Sequence, residues 1–203
     1  MTRSRLSGAA YACVFLLFST TASAALIDNG GGLIYDDVLD ITWAQPDIER
    51  SWNDANTWAS GLTLGGATDW RLPYMSVTAG AGPFAGNPVD CQVASEAACR
   101  DNELGYMFYQ NLGGTAGQSI LDSGDPDLAL FPTLQSRFYW SGTEIDSGLA
   151  WAFSFNLGLM FDTTGSNYTW AVHAGNVIPL PAAVWLFGSG LLGLIGIARK
   201  KAA

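Results

Sequence analysis

Between residues 33 and 43 the apolar positions are split by acids: Leu33, Ile34 and Tyr35 precede Asp36 and Asp37, and Leu39, Ile41 and Trp43 come after them. That pattern predicts a β-hairpin turning near Asp36-Asp37. The period then lengthens. Ser51, with Asp54 three residues on, forms an approximate capping box, and Trp52, Ala55, Ala59 and Leu62 share one face of the helix it opens. Gly65-Gly66 ends that region. Asp69-Trp70-Arg71-Leu72-Pro73 reads as a short strand stopped by proline. Residues 76–100 are rich in Gly, Ala and Pro, show no period, and read as a long loop. Asp101 is expected to cap a second helix whose apolar face is Leu104, Met107, Phe108 and Leu112, closed by Gly113-Gly114. Tyr106 and Tyr109 fall off that face and are expected at the surface. Residues 115–137 read mostly as loop.

The last third alternates at period two. Phe138 to Thr143 is one strand. From Leu149 to Asn156, Trp151, Phe153 and Phe155 alternate with Ala152, Ser154 and Asn156, giving one apolar and one small polar face. A turn at Leu157-Gly158 leads to Met160-Phe161, and Tyr168, Trp170 and Val172 share a face of the final strand. Strands, helix, long loops, helix and strands in that order predict an α+β domain with an antiparallel sheet.

Both ends of the chain carry address signals. Arg3 and Arg5 precede an apolar stretch within Leu6 to Phe18, and Ala22-Ser23-Ala24 is a small-x-small cleavage site, so residues 1–24 read as a secretory signal peptide. At the other end, Val177-Ile178-Pro179-Leu180-Pro181-Ala182 leads into an uncharged run from Leu180 to Ala198, and Arg199, Lys200 and Lys201 come directly after it. Nineteen helical residues reach roughly 28 Å, about the apolar thickness of a bilayer. The basic triplet is expected to remain cytoplasmic. Residues 177–203 resemble the PEP-CTERM class of bacterial sorting tails in its VPLPA variant. The resemblance rests on Pro179 to Ala182, the Val184 to Gly193 run and the basic cluster; Ile178 stands where that variant has Val. It implies a Gram-negative host, an exosortase-type processing protease as partner, anchoring in the inner membrane before processing, and delivery to the cell surface or an exopolysaccharide matrix.

These ends leave residues 25–176 as one exported domain. Eighteen carboxylates face only Arg50, Arg71, Arg100 and Arg137 there, a net charge of −14. A field of that sign repels nucleic acid and anionic polysaccharide, and favours cations or neutral glycans. Cys91 and Cys99 are the mature thiols of an oxidising compartment and are expected to pair. A loop this short would stabilise by about 2–3 kcal/mol.

The interior segments resemble, taken together, the DUF1566 family, also called the Lcl C-terminal domain. The residues that carry this are Gly32 to Asp36 with Leu39 to Trp43, then Trp52, Ala55 and Trp58, and Asp69-Trp70-Arg71-Leu72-Pro73. Tyr139-Trp140-Ser141-Gly142-Thr143, Ala150 to Phe153 and Trp170-Ala171-Val172 complete it. The resemblance covers nearly all of 30–176. It implies a C-type-lectin-like fold, with long loops over a small twisted sheet, and a surface role, since one member is an adhesin domain that binds sulfated glycosaminoglycans. Val172-His173 stands where the family has Val-Arg, and the acidic surface opposes a polyanion. A matrix or glycan-associated role is therefore expected without sulfated ligands.

Chemistry-bearing residues are few. The seven tryptophans outside the tail read mainly as core, since they alternate with small residues. Asp122, Asp125 and Asp127 surround a Gly turn, a polar turn first and a candidate Ca²⁺ loop second. Asp36, Asp37 and Asp40 read as hairpin polarity. His173 has no Gly-x-Ser-x-Gly elbow to serve, and nothing selects a pair of carboxylates for glycoside hydrolysis. The expectation is a non-catalytic domain without a resident cofactor. The alternative is a Ca²⁺-dependent glycan-binding adhesin, and a glycan-modifying enzyme comes third.

Overall fold

The computed structural model describes residues 26–75 and 100–179. The expected signal peptide, the expected Cys91–Cys99 bridge, and the expected tail from Leu180 onward lie outside the described residues. No helix among the described residues is long and apolar enough to cross a membrane.

The domain is α+β, built on two sheets. The first joins β1 (Leu26–Asp28), β2 (Ile34–Asp36), β3 (Ile41–Trp43) and β9 (Val172–Ala174), antiparallel and in that spatial order. The second joins β4 (Asp47–Ser51), β8 (Ser166–Thr169), β5 (Phe138–Asp146), β6 (Leu149–Ser154) and β7 (Leu159–Thr163). It is antiparallel except where Tyr139 and Tyr168 align in parallel. The expectation of one small antiparallel sheet is corrected to two, the second of them mixed.

The predicted hairpin forms, with Ile34 opposite Trp43 and Asp36 opposite Ile41. Asp40 at its far end takes φ +52°, a left-handed value that closes the turn. The predicted final strand does not run straight. It breaks at Trp170-Ala171, where the chain leaves the second sheet for the first. Residues 44–46 make the reverse crossing beside it. The two crossings are tied by Ala44 N–H to Ala171 O at 2.9 Å and by the Trp170 indole N–H to Ala44 O at 2.6 Å.

Helix α1 (Trp52–Ser60) starts as expected, with Ser51 Oγ accepting the Asp54 N–H. It ends at Gly61, not at Gly65-Gly66, which form a separate turn. Helix α2 (Glu103–Tyr106) continues as a π-helical turn over Met107–Asn111. Its cap is Asn102, whose side chain accepts the Gly105 N–H at 2.9 Å, rather than Asp101. Two 3₁₀ turns, Ile120–Asp122 and Pro126–Leu130, interrupt the stretch expected to be loop.

The alternation in β6 builds two cores, not one core and a wet face. Phe153 and Phe155 meet Trp43, Phe108, Tyr139 and Trp170 in one buried cluster. Ala150 and Ala152 face the other way, against Ala55 and Ala59 of α1 with Trp70 and Trp140. Alanines on both partners let the helix approach the sheet closely, so the small face is a docking face rather than a polar one. Trp43, Trp70, Trp140 and Trp170 are all buried, as expected of core residues. The large cluster is held by edge-on aromatic contacts, with Trp43 and Trp170 centroids 4.8 Å apart. Tyr106 is fully buried and Tyr109 partly so, which corrects their expected exposure. Tyr106 belongs to α2, all four of whose residues are buried, and Tyr109 to the π-helical turn that follows; a helix with one apolar face anticipates neither.

Candidate functional site

Segment 69–75 is shaped by three local facts. Asp69 takes a left-handed φ of +65°. Arg71 then pairs through its backbone with Val172 alone, at 2.9 and 2.8 Å. Pro73 has no N–H to extend a ladder, and its carbonyl accepts from Gly142 N at 2.8 Å. The expected strand is thus one bridge, and the chain passes between β9, β5 and the start of α2. Met75 completes the seat, accepting from and donating to Thr143 Oγ1 at 2.8 and 3.2 Å.

Glu103, the first residue of α2, closes this segment. The Arg71 guanidinium forks onto both of its oxygens at 2.6 and 2.7 Å. The Tyr74 N–H donates to Glu103 Oε2 at 2.6 Å, and the Glu103 N–H to Tyr74 O at 3.0 Å. The hydrogen bonds to Glu103 raise the Arg71 pKa above its ordinary value, outweighing burial, which lowers it. Glu103 is nearly buried while the Arg71 side chain is 43 % exposed. An open cleft of about 370 Å³ results, lined by Asn56, Arg71, Leu72, Tyr74, Glu103 and Gly142. Tyr74 is 52 % exposed beside it. Glu103 is engaged by N–H donors on both oxygens, so it braces the cleft rather than serving as a free base. An aromatic ring, an amide and a half-exposed guanidinium are what the cleft offers a ligand.

The expected acidic sites fall elsewhere. Asp125 caps the 3₁₀ turn Pro126–Leu130, its Oδ1 accepting the Asp127 N–H at 2.9 Å. Burial and the nearby Asp125 charge raise the Asp127 pKa. Asp122 lies in the preceding 3₁₀ turn. Among the described residues no three His, Cys, Asp or Glu side chains are grouped so as to hold a metal ion.

Asp36 is not surface polarity. It is fully buried, with Oδ1 accepting from Val38 N at 3.0 Å and Leu39 N at 2.9 Å, and Oδ2 from Asn111 Nδ2 at 2.7 Å. Asp40 does behave as hairpin polarity, accepting the Tyr35 hydroxyl at 2.8 Å. His173 sits opposite Thr42 in β9, its ring 5.4 Å from Trp70, with Nδ1 buried and without a hydrogen-bond partner.

Sequence reading misses Tyr74, Asn56 and Glu103. Arg71 is visible within its motif, but its partner lies 32 residues away across the undescribed segment, and no local spacing links them. Of the expected sorting residues, Ile178 and Pro179 are described: the Ile178 side chain is exposed and Pro179 lies against the domain. Leu180, Pro181, Ala182, Arg199, Lys200 and Lys201 lie outside the described residues. No protein-family model, curated protein or solved structure matches this chain.

Proposed function

We propose that this is an exported protein of the bacterial surface or exopolysaccharide matrix, delivered by an exosortase-type tail and carrying a non-catalytic, C-type-lectin-like domain. The observation that carries the reading is in the sequence: Pro179-Leu180-Pro181-Ala182 directly before an uncharged run to Ala198 and three basic residues. The acidic exported part agrees with a soluble matrix component that avoids nucleic acid and anionic polymers. Expression of the full chain in a host with such a protease, with fractionation of the cells and medium, tests it. The expected result is exported protein, with the tail removed in the native chain and retained in Pro181→Ala. Unprocessed protein confined to the cytoplasm overturns the reading.

The cleft beside Tyr74 favours a second reading, a glycan-binding adhesin. A half-exposed tyrosine can cover the apolar face of a sugar ring while Arg71 and Asn56 meet its hydroxyls. Saturable binding of neutral exopolysaccharide, lost in Tyr74→Ala, would support it. Loss on chelation would instead direct attention to Asp122, Asp125 and Asp127 as a Ca²⁺ loop.

A further inference from the structure

The chain leaving the domain is held down until its last described residue. Val177 is buried with Leu33 and Ala44 in the cluster on the α1 side. Its N–H donates to Thr42 Oγ1 at 2.9 Å, and its carbonyl accepts from Asn29 Nδ2 at 2.9 Å. Asn29 Nδ2 also reaches Asn176 Oδ1 at 2.6 Å. The Thr42 hydroxyl donates to Gly175 O, and Gly175 N to Asp40 O, each at 2.7 Å. Gly65 makes room for this packing: a Cβ there would meet Leu33 Cδ1 at 2.7 Å and Val177 Cγ1 at 2.8 Å. Pro179 lies over Gly31, its Cγ 3.7 Å from where a Cβ would stand. The apolar run begins at the very next residue, Leu180. An exposed, polar or Gly/Pro-rich linker usually separates a domain from the next part of its chain; here the chain between Gly175 and Leu180 is itself part of the domain.

We propose that residues 175–179 form a strap that holds Ile178 and Pro179, where the proposed sorting motif begins, against the domain, so that a processing protease must wait until the strap peels off. The inference rests on the sorting function proposed for the tail. The Ile178 side chain is exposed, but its backbone is flanked by buried Val177 on one side and by Pro179 against Gly31 on the other. An enzyme that needs extended chain must wait for local opening. When opening is fast, cleavage tracks the population of the open form. Processing is then set by the local stability of the Asn29 and Thr42 contacts, and the tail is released at a rate the folded domain controls.

The full chain in detergent micelles, digested with a broad-specificity protease and read by mass spectrometry for cuts at 175–179, tests the strap. Asn29→Ala and Val177→Ala should each raise cleavage there about tenfold, with native tryptophan fluorescence retained. Ile120→Val, in the opposite core cluster, should leave those cuts unchanged. Equal rates in the native chain and both strap variants overturn the proposal, as does equal acceleration by Ile120→Val. In cells that contain the processing protease, Asn29→Ala should be processed faster, and processing at the native rate also overturns the proposal. If neither chain is processed in cells, the sorting function fails, and with it the protease gating. The micelle rates then decide separately whether the strap exists.

Discussion

Asp36 offers the sharpest test of the packing in the large core cluster, because its two obvious replacements should behave in opposite ways. Burial is the largest influence on its carboxyl and raises the pKa, while N–H donors from Leu39, Asn111 and Val38 pull it back. The folded pKa therefore lies above the unfolded value of about 3.9. In that window the native state holds a proton that the unfolded state has released. Stability must then fall as pH rises from about 4 through the folded pKa, and level off above it. Asp36→Asn removes the buried charge and keeps an oxygen for the Val38 and Leu39 amides. Its new NH₂ would oppose Asn111 Nδ2, but the Asn111 Oδ1 is buried without a partner, and half a turn of that amide presents it as an acceptor. One hydrogen bond is exchanged for another, so the change at pH 7 should stay within about 1 kcal/mol. Asp36→Ala removes all three accepted bonds and strands the Asn111 amide in an apolar cluster, which should cost about 2–4 kcal/mol. Urea denaturation of residues 26–179 at several pH values between 4 and 7 measures both effects. If Asp36→Asn is as damaging as Asp36→Ala, the charge itself holds the turn and the argument from burial is wrong. If the fall in stability with pH persists in Asp36→Asn, another group is titrating.

Other substitutions probe the remaining links. Glu103→Ala should cost about 3 kcal/mol by leaving Arg71 without its fork and the Tyr74 N–H without an acceptor, read as a lower urea midpoint; a loss under about 0.5 kcal/mol would reduce the ion pair to a surface contact. A fragment ending at residue 176 should be less stable than one ending at 179 by about 2 kcal/mol, the worth of burying one valine with its hydrogen bonds, and equal thermal midpoints would contradict the strap. Above pH 10 the domain should lose stability steadily, because burial pushes the Tyr109 hydroxyl up to about 12 and that of Tyr139 higher still. Unfolded tyrosines ionise near 10, so the native state resists a deprotonation that the unfolded chain accepts; the loss is at most about 1.4 kcal/mol per pH unit for each tyrosine. A phenolate absorbance titration coinciding with unfolding would confirm this, and one complete near pH 10 in the folded state would refute it.

The elements legible in the sequence are those that local rules determine. The hairpin at 34–43 and the Ser51 cap are set within a few residues by alternation and by one side chain reaching one N–H. The illegible ones depend on partners distant in the chain. The alternation in β6 distinguishes its two faces but does not say that a helix covers the small one. Ala152 and Ser154 look polar-facing until Ala55 and Ala59 supply the second layer. Asp36 fails for the same reason: an Asp-Asp pair in a hairpin reads as solvated unless Asn111, 75 residues away, is known to face it. The Arg71–Glu103 brace spans a segment whose sequence has no period at all. The domain boundary shows this most clearly. In the sequence, residue 176 is the natural end because the sorting motif begins just after it, and a motif read for its address implies a chain free to be read. Burial of Val177 between Leu33 and Ala44 removes that freedom, so Val177, Ile178 and Pro179 belong to the fold as well as to the proposed address. Under the proposed tail processing, a change that loosens the domain near Asn29 should then alter the rate of processing without touching any residue of the motif.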